Sequence, residues 1–223
     1  MRLFYGTGEF DVAVFKERKV LDEIAMLLTA FDCVLSDDSA VYCSSDVTTG
    51  RLLYFGVYER HGVRSDAELK DRLGAEGRRG VMQALINENI ARGVEFTEAL
   101  RRRGLANLIN PGPLFAPGFE QQHYHYLWES VIVRKVYQAC FNEGWEYSNG
   151  CTLEYAICRR KGIPALDHLG NELSPDGAKA LVVRAVADLK ARGIAAPMLE
   201  RNLSLIEELP EPQAGGGRNS TAP

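Results

Sequence analysis

The chain has no run of apolar residues approaching the roughly 18 that a membrane-crossing helix requires, so no membrane partner is expected. Its start, MRLFYGTGEF, lacks a basic stretch leading into an apolar one, and the expectation is a cytoplasmic protein. A basic excess is also lacking. With 26 Lys and Arg against 30 Asp and Glu, a net charge of −4, the surface is not built to neutralise a nucleic-acid polymer or to dock on anionic lipid. These absences leave a small molecule as the expected partner. The five cysteines, Cys33, Cys43, Cys140, Cys151 and Cys158, are odd in number and form no CxxC pair. Neither a disulfide framework nor a zinc knuckle is indicated, and they read as buried small hydrophobes. No GxxxxGK[ST] or GxSxG occurs, and Gly6-Thr7-Gly8 lacks the third glycine of a dinucleotide fingerprint. P-loop, α/β-hydrolase and NAD chemistry lose their support, and no cofactor is expected. His123 and His125 lie two apart, on different sides of a helix, so they read as surface or interface residues and no metal site is expected.

What the sequence does have is 223 residues at 46% hydrophobic and 25% charged, enough for one sizeable core. A single domain is expected over 1–208, its centre at about 40–192. The end, 209–223, is rich in Pro, Gly, Ser and Asn and reads as a disordered tail. Val20, Ile24, Leu27 and Leu28 give Lys16 to Phe31 a helical spacing, an extra N-terminal helix. Strands follow at Ala40–Cys43, Leu105–Ile109, Val136–Phe141 and Ile163–Leu166, alternating with helices at 81–103, 120–134, 150–161 and 174–192. Leu52 to Tyr58 reads as a further strand, and 60–80 shows no sustained period; the 51–80 stretch is expected to lie beside the site. Alternation of this kind predicts an α/β fold, a doubly wound, mainly parallel open sheet flanked by helices.

Chemistry concentrates between Trp145 and Asp167, WEYSNGCTLEYAICRRKGIPALD. Gly150 opens a helix whose first N–H groups lack internal partners, and Ser148 and Asn149 are competent to cap it. Such an end attracts anions. Glu154 follows, placed by the spacing in about the first turn, where the helix dipole favours the carboxylate. Leu153, Ala156 and Ile157 form the buried stripe, so Glu154 stands at its edge near the carboxyl end of the sheet, where open parallel sheets bind ligands. A glutamate that merely steadies its helix terminus is the alternative.

This segment resembles the signature region of the nucleoside 2-deoxyribosyltransferase-like superfamily, whose Trp-x-x-Ser-x-Gly-x-x-x-Glu pattern is met by Trp145, Ser148, Gly150 and Glu154. The resemblance is specific over 145–167 and extends loosely over 40–192. It implies that Glu154 attacks the anomeric carbon of a nucleoside or nucleotide and displaces the base, as retaining glycoside chemistry does with a carboxylate nucleophile. Transferases of that group usually carry Asp where Ser148 stands, whereas the monophosphate hydrolases carry Ser there and use it to hold the 5′-phosphate. The implied activity is therefore an N-glycosidase acting on a nucleoside 5′-monophosphate. A deoxyribosyltransferase and a non-catalytic nucleotide-binding module are the rivals. The resemblance also implies a homo-oligomer.

Other residues are candidates for supporting roles. Many relatives carry an Asp at the start of the strand before the signature, and here that place falls near Lys135 or Val136. Glu129 and Asp46 are the candidate second carboxylates to protonate the base or orient the sugar; a solvated helix glutamate and an Asx turn are their ordinary roles. Ser44, Ser45, Thr48 and Thr49 beside Gly50 offer hydroxyls to sugar or phosphate oxygens, and Asn110 ends the second strand as a further ligand contact. Tyr42 and Trp145 are candidates to stack on a base, core packing being the alternative. Cys43 and Cys151 have no base partner in the sequence and rank below Glu154 as nucleophiles.

Overall fold

The structure is a computed structural model and describes residues 2–5, 8–11 and 18–208. Residues 16–17 of the expected first helix, and the expected disordered tail, lie outside the described residues. β1 (Arg2–Tyr5) and β2 (Gly8–Asp11) pair as an antiparallel hairpin, which the sequence reading did not foresee. β3 (Ala40–Ser44), β4 (Leu108–Ile109), β5 (Val136–Phe141) and β6 (Ala165–Leu166) form a four-stranded parallel sheet in the order β4-β3-β5-β6. Around it stand α1 (Arg18–Val34), α2 (Glu59–His61), α3 (Asp66–Arg102), α4 (Gln121–Lys135), α5 (Asn149–Lys161), α6 (Pro175–Ala191) and α7 (Pro197–Glu208). No helix among the described residues is long and apolar enough to cross a membrane.

Every residue of β3 is buried, as a strand covered on both faces by helices must be. Its period of two divides the core. Val41 and Cys43 pack with Phe96 and Leu100 of α3 and Cys140 of β5, while Ala40 and Tyr42 belong to the larger core with Leu127, Ile132, Phe141, Leu153, Ile157, Val182 and Leu189. The predicted doubly wound α/β architecture is what the chain adopts. From β3 the chain goes to one side to make β4, then crosses to the other side to make β5. That reversal is a topological switch point at the carboxyl ends of β3 and β5, the position at which open α/β sheets bind ligands.

Three sequence expectations need correction. Leu52–Tyr58 is a π-helix, not a strand: Leu53, Tyr54, Val57 and Tyr58 are buried at helical spacing, a signal masked by the aromatic composition of LLYFGVY. Residues 60–80 are not irregular, because α3 starts at Asp66 behind Ser65, whose side chain accepts from the Glu68 N–H at 3.2 Å. This Ser-x-x-Glu start was legible; the helix is broken only at Gly74 (φ 72°), and its charged first half hides any apolar period. His123 is not a surface residue either. It is buried, and its Nδ1 accepts from the Glu120 N–H at 2.8 Å to close the start of α4. His125 is half-buried, and burial presses its pKa down to about 4.

Candidate functional site

Tyr42 and Ser44 stand two apart on β3 and so project to the same face, the one that α5 covers. There the Tyr42 hydroxyl donates to Glu154 Oε1 at 2.8 Å and the Ser44 hydroxyl donates to Oε2 at 2.6 Å. Each carboxylate oxygen has its own short hydroxyl bond, and both donors are 0% exposed, so the plane of the carboxyl is fixed from below by the central strand. α5 is buried on nearly every side. From Cys151 to Cys158, Glu154 alone is only half-buried, so it does not flank an amphipathic stripe as the spacing implied. It lies in the second turn, since the helix starts at Asn149 behind the Ser148 cap. The terminal dipole fades within the first turn, and burial governs instead: the Glu154 pKa is raised, with the Ser44 and Tyr42 bonds opposing the rise. That reverses the direction expected from the helix terminus.

The loop after β3 carries the second carboxyl. Asp46 accepts from the Cys151 thiol at 3.7 Å, and burial raises its pKa to about 7, against the field of Arg92 and the bonds from Cys151 and Ser148. Cys151 is fully enclosed between the two acids. Burial, then Asp46 and Glu154, push its thiol well above the ordinary range, so it is a neutral donor and not a nucleophile. Gly50 closes this loop at φ +120°, and a Cβ there would lie 2.5 Å from Asp46 Cγ. Gly50→Ala is therefore expected to destabilise the fold by about 2–4 kcal/mol and to displace Asp46, as urea unfolding and a loss of activity would register.

The amino end of α5 is more occupied than the sequence implied. Ser148 is 2% exposed and its Oγ accepts from the Cys151 N–H, while the Asn149 N–H donates to Thr49 Oγ1 at 3.0 Å. Two of the groups expected to meet an anion are thus used inside the protein. Asn202 of α7, an element the sequence reading missed, donates to Asn149 O at 2.8 Å and to Thr152 Oγ1 at 2.9 Å, and so pins this turn. Asn149 Oδ1 is buried without a partner among the described residues.

The remaining candidates are placed as follows. Trp145 is 3% exposed, its ring 5.1 Å from those of both Phe141 and Tyr155, and the Tyr42 ring meets Trp128 edge-on at 6.1 Å. Both rings belong to the core, and Tyr42 reaches the site only through its hydroxyl. Glu129 is buried and ion-paired with Arg160 at the far end of α5, which separates it from the Glu154 group. Asn110 Oδ1 accepts from the Gly112 N–H at 3.0 Å. Ser45 is buried against α3, where a Cβ on Gly93 would lie 2.5 Å from its Oγ.

No family model, curated protein or solved structure matches the chain. The site must therefore be read from its own geometry. That geometry brings together Tyr42, Ser44, Asp46, Gly50, Ser148, Asn149 and Glu154 at the carboxyl end of β3. It also adds residues that sequence reasoning missed: Cys151 between the acids, Tyr54 of the π-helix, which feels the charge of Asp46, and Asn89 and Arg92 of α3. Among the described residues, no group of three or more His, Cys, Asp and Glu side chains has the geometry to hold a metal ion.

Proposed function

We propose that the protein is an N-glycosidase that cleaves the base–sugar bond of a nucleoside 5′-monophosphate or related nucleotide. The observation that carries this reading is the Glu154 carboxyl held between the Tyr42 and Ser44 hydroxyls at the carboxyl end of the sheet, on the one residue from Cys151 to Cys158 that is not fully buried. The resemblance of Trp145–Asp167 to the deoxyribosyltransferase-like signature supports the same reading. Glu154 as carboxylate attacks the anomeric carbon as the C–N bond breaks, and the bond pair leaves with the base nitrogen. Asp46, with a pKa of about 7, is a carboxyl still largely protonated just below neutrality and supplies the proton to that nitrogen. The product is a glycosyl ester on Glu154. Water then attacks the anomeric carbon, Asp46 as carboxylate takes its proton, and the sugar phosphate leaves with Glu154 restored.

Tyr42 and Ser44 hold the carboxylate through this cycle and carry none of the transferred protons. Ser148 stands where the transferases that the segment resembles usually carry Asp, and this departure supports hydrolysis over transfer. We place the enzyme in the cytoplasm as a homo-oligomer that uses neither metal nor organic cofactor. Incubation with a panel of nucleoside 5′-monophosphates, without added acceptor base, is expected to release free base measurable by chromatography. Release that occurs only when a second base is present would make the protein a transferase, and release from no nucleotide or nucleoside would overturn the reading.

A further inference from the structure

α3 meets the loop after β3 along one face of the helix. Asn89 Nδ2 donates to Val47 O at 3.1 Å, Gly93 presses on Ser45, and Arg92, half-buried between these contacts, is the positive charge that acts most strongly on Asp46. Arg92 forms neither an ion pair nor a hydrogen bond with any described residue. A half-buried guanidinium presents five donors in a rigid fork whose geometry matches a carboxylate or a phosphate. Three residues away, Asn89 is 2% exposed and its Oδ1 is buried without a partner among the described residues. A fork of unused donors within one turn of an unused acceptor on the same helix matches a ligand with an anionic group and a neighbouring hydroxyl.

We propose that Arg92 binds the phosphate of a phosphorylated-sugar ligand and that Asn89 Oδ1 accepts from a hydroxyl of the same sugar. The inference rests on the nucleotide reading above and assigns the 5′-phosphate to α3 and not to the start of α5, where Thr49 and Ser148 already take the Asn149 and Cys151 N–H groups. It also couples recognition to chemistry. A phosphate seated on Arg92 cancels the field that favours ionised Asp46, so the phosphorylated substrate helps its own proton donor to stay protonated.

The test is calorimetric titration of the intact protein with ribose 5-phosphate and with ribose. Wild-type protein is expected to bind ribose 5-phosphate in preference to ribose. Arg92→Met should weaken ribose 5-phosphate by about tenfold or more and leave ribose unchanged, and Arg92→Lys should fall between, because a point charge replaces a bidentate fork. If Arg92→Met fails to fold, a severalfold loss in Arg92→Lys carries the decision. Equal affinity of wild type and variants for ribose 5-phosphate, an equal loss for both ligands, or no binding of ribose 5-phosphate by wild type would overturn the proposal. The readout is binding and not release of base, so a protein that binds ribose 5-phosphate through Arg92 yet cleaves no nucleotide would reject the reaction and keep the phosphate site.

Discussion

Glu154→Gln is expected to lower kcat for base release by about four orders of magnitude while leaving KM within a few fold, the pattern of a deleted covalent step and not of a trimmed contact. The geometry makes this a clean substitution. The amide is nearly isosteric; its oxygen keeps one hydroxyl donor, and its NH2 can donate to the other hydroxyl once that group turns to accept. Stability should not fall at neutral pH. The folded-state pKa of Glu154 lies above 4.5, so its burial is unfavourable at pH values above that folded pKa and the cost disappears as pH falls. Removing the charge should leave Tm unchanged or higher at pH 7. Mass spectrometry of wild-type protein quenched during turnover should find a sugar-phosphate adduct on the peptide containing Glu154. Full activity in Glu154→Gln would reject the mechanism.

The parts of the site closest in sequence were the most legible, for a physical reason. β5 alternates in sequence and stops at the loop from Asn142, and the capped start and Gly162 end of α5 are local signals, so both elements fall where the sequence placed them. The grip on Glu154 was only half readable. Tyr42 and Ser44 were candidates as ligand-contacting groups, yet both point inward at a residue some 110 positions away, and that pairing exists only once β3 lies beneath α5. Their value as supports for a carboxylate needs the sheet. Asn202 reaches Asn149 across 53 positions from a helix whose buried face shows only Leu199, Asn202 and Ile206, too sparse to read.

Arg92 and Asn89 were hidden by their helix. α3 runs for 37 residues with charge on most sides, so neither residue stands out by period, cap or neighbour. What distinguishes them is the lack of partners among the described residues for the Asn89 Oδ1 and the Arg92 guanidinium, which no sequence displays. The misread π-helix has a related cause: a seven-residue apolar run is compatible with a strand or a buried helix, and only packing chooses. Its position matters, because Tyr54 stands close enough to Asp46 to feel its charge, and Phe55 packs edge-on against Tyr147 at 5.2 Å. The first part of the 51–80 stretch thus lines the site, while the rest becomes the start of α3.

Asp46→Asn is expected to change two pH profiles at once. In the wild type, base release requires Glu154 ionised and Asp46 protonated, so kcat should be bell-shaped, with its alkaline limb near pH 7 from Asp46. In Asp46→Asn that limb should vanish and kcat should fall by about two to three orders of magnitude, the range of a lost general acid. A nucleotide whose base leaves as a stable anion should lose far less, because it does not need the proton. The stability profile follows from the same shift. The Asp46 pKa moves from 3.8 unfolded to about 7 folded, so the folded protein binds the proton more tightly and loses stability as pH rises through that window. The cost is complete above about pH 7 and absent below about pH 4. Asp46→Asn should therefore differ little from wild type at pH 4 and be more stable by about 2 kcal/mol at pH 8, after allowance for the part of the carboxyl that solvent reaches. Urea titrations at both pH values measure the difference. If the variant keeps the alkaline limb, the proton donor is another group; if its stability tracks the wild type at every pH, Asp46 ionises as freely in the fold as in water.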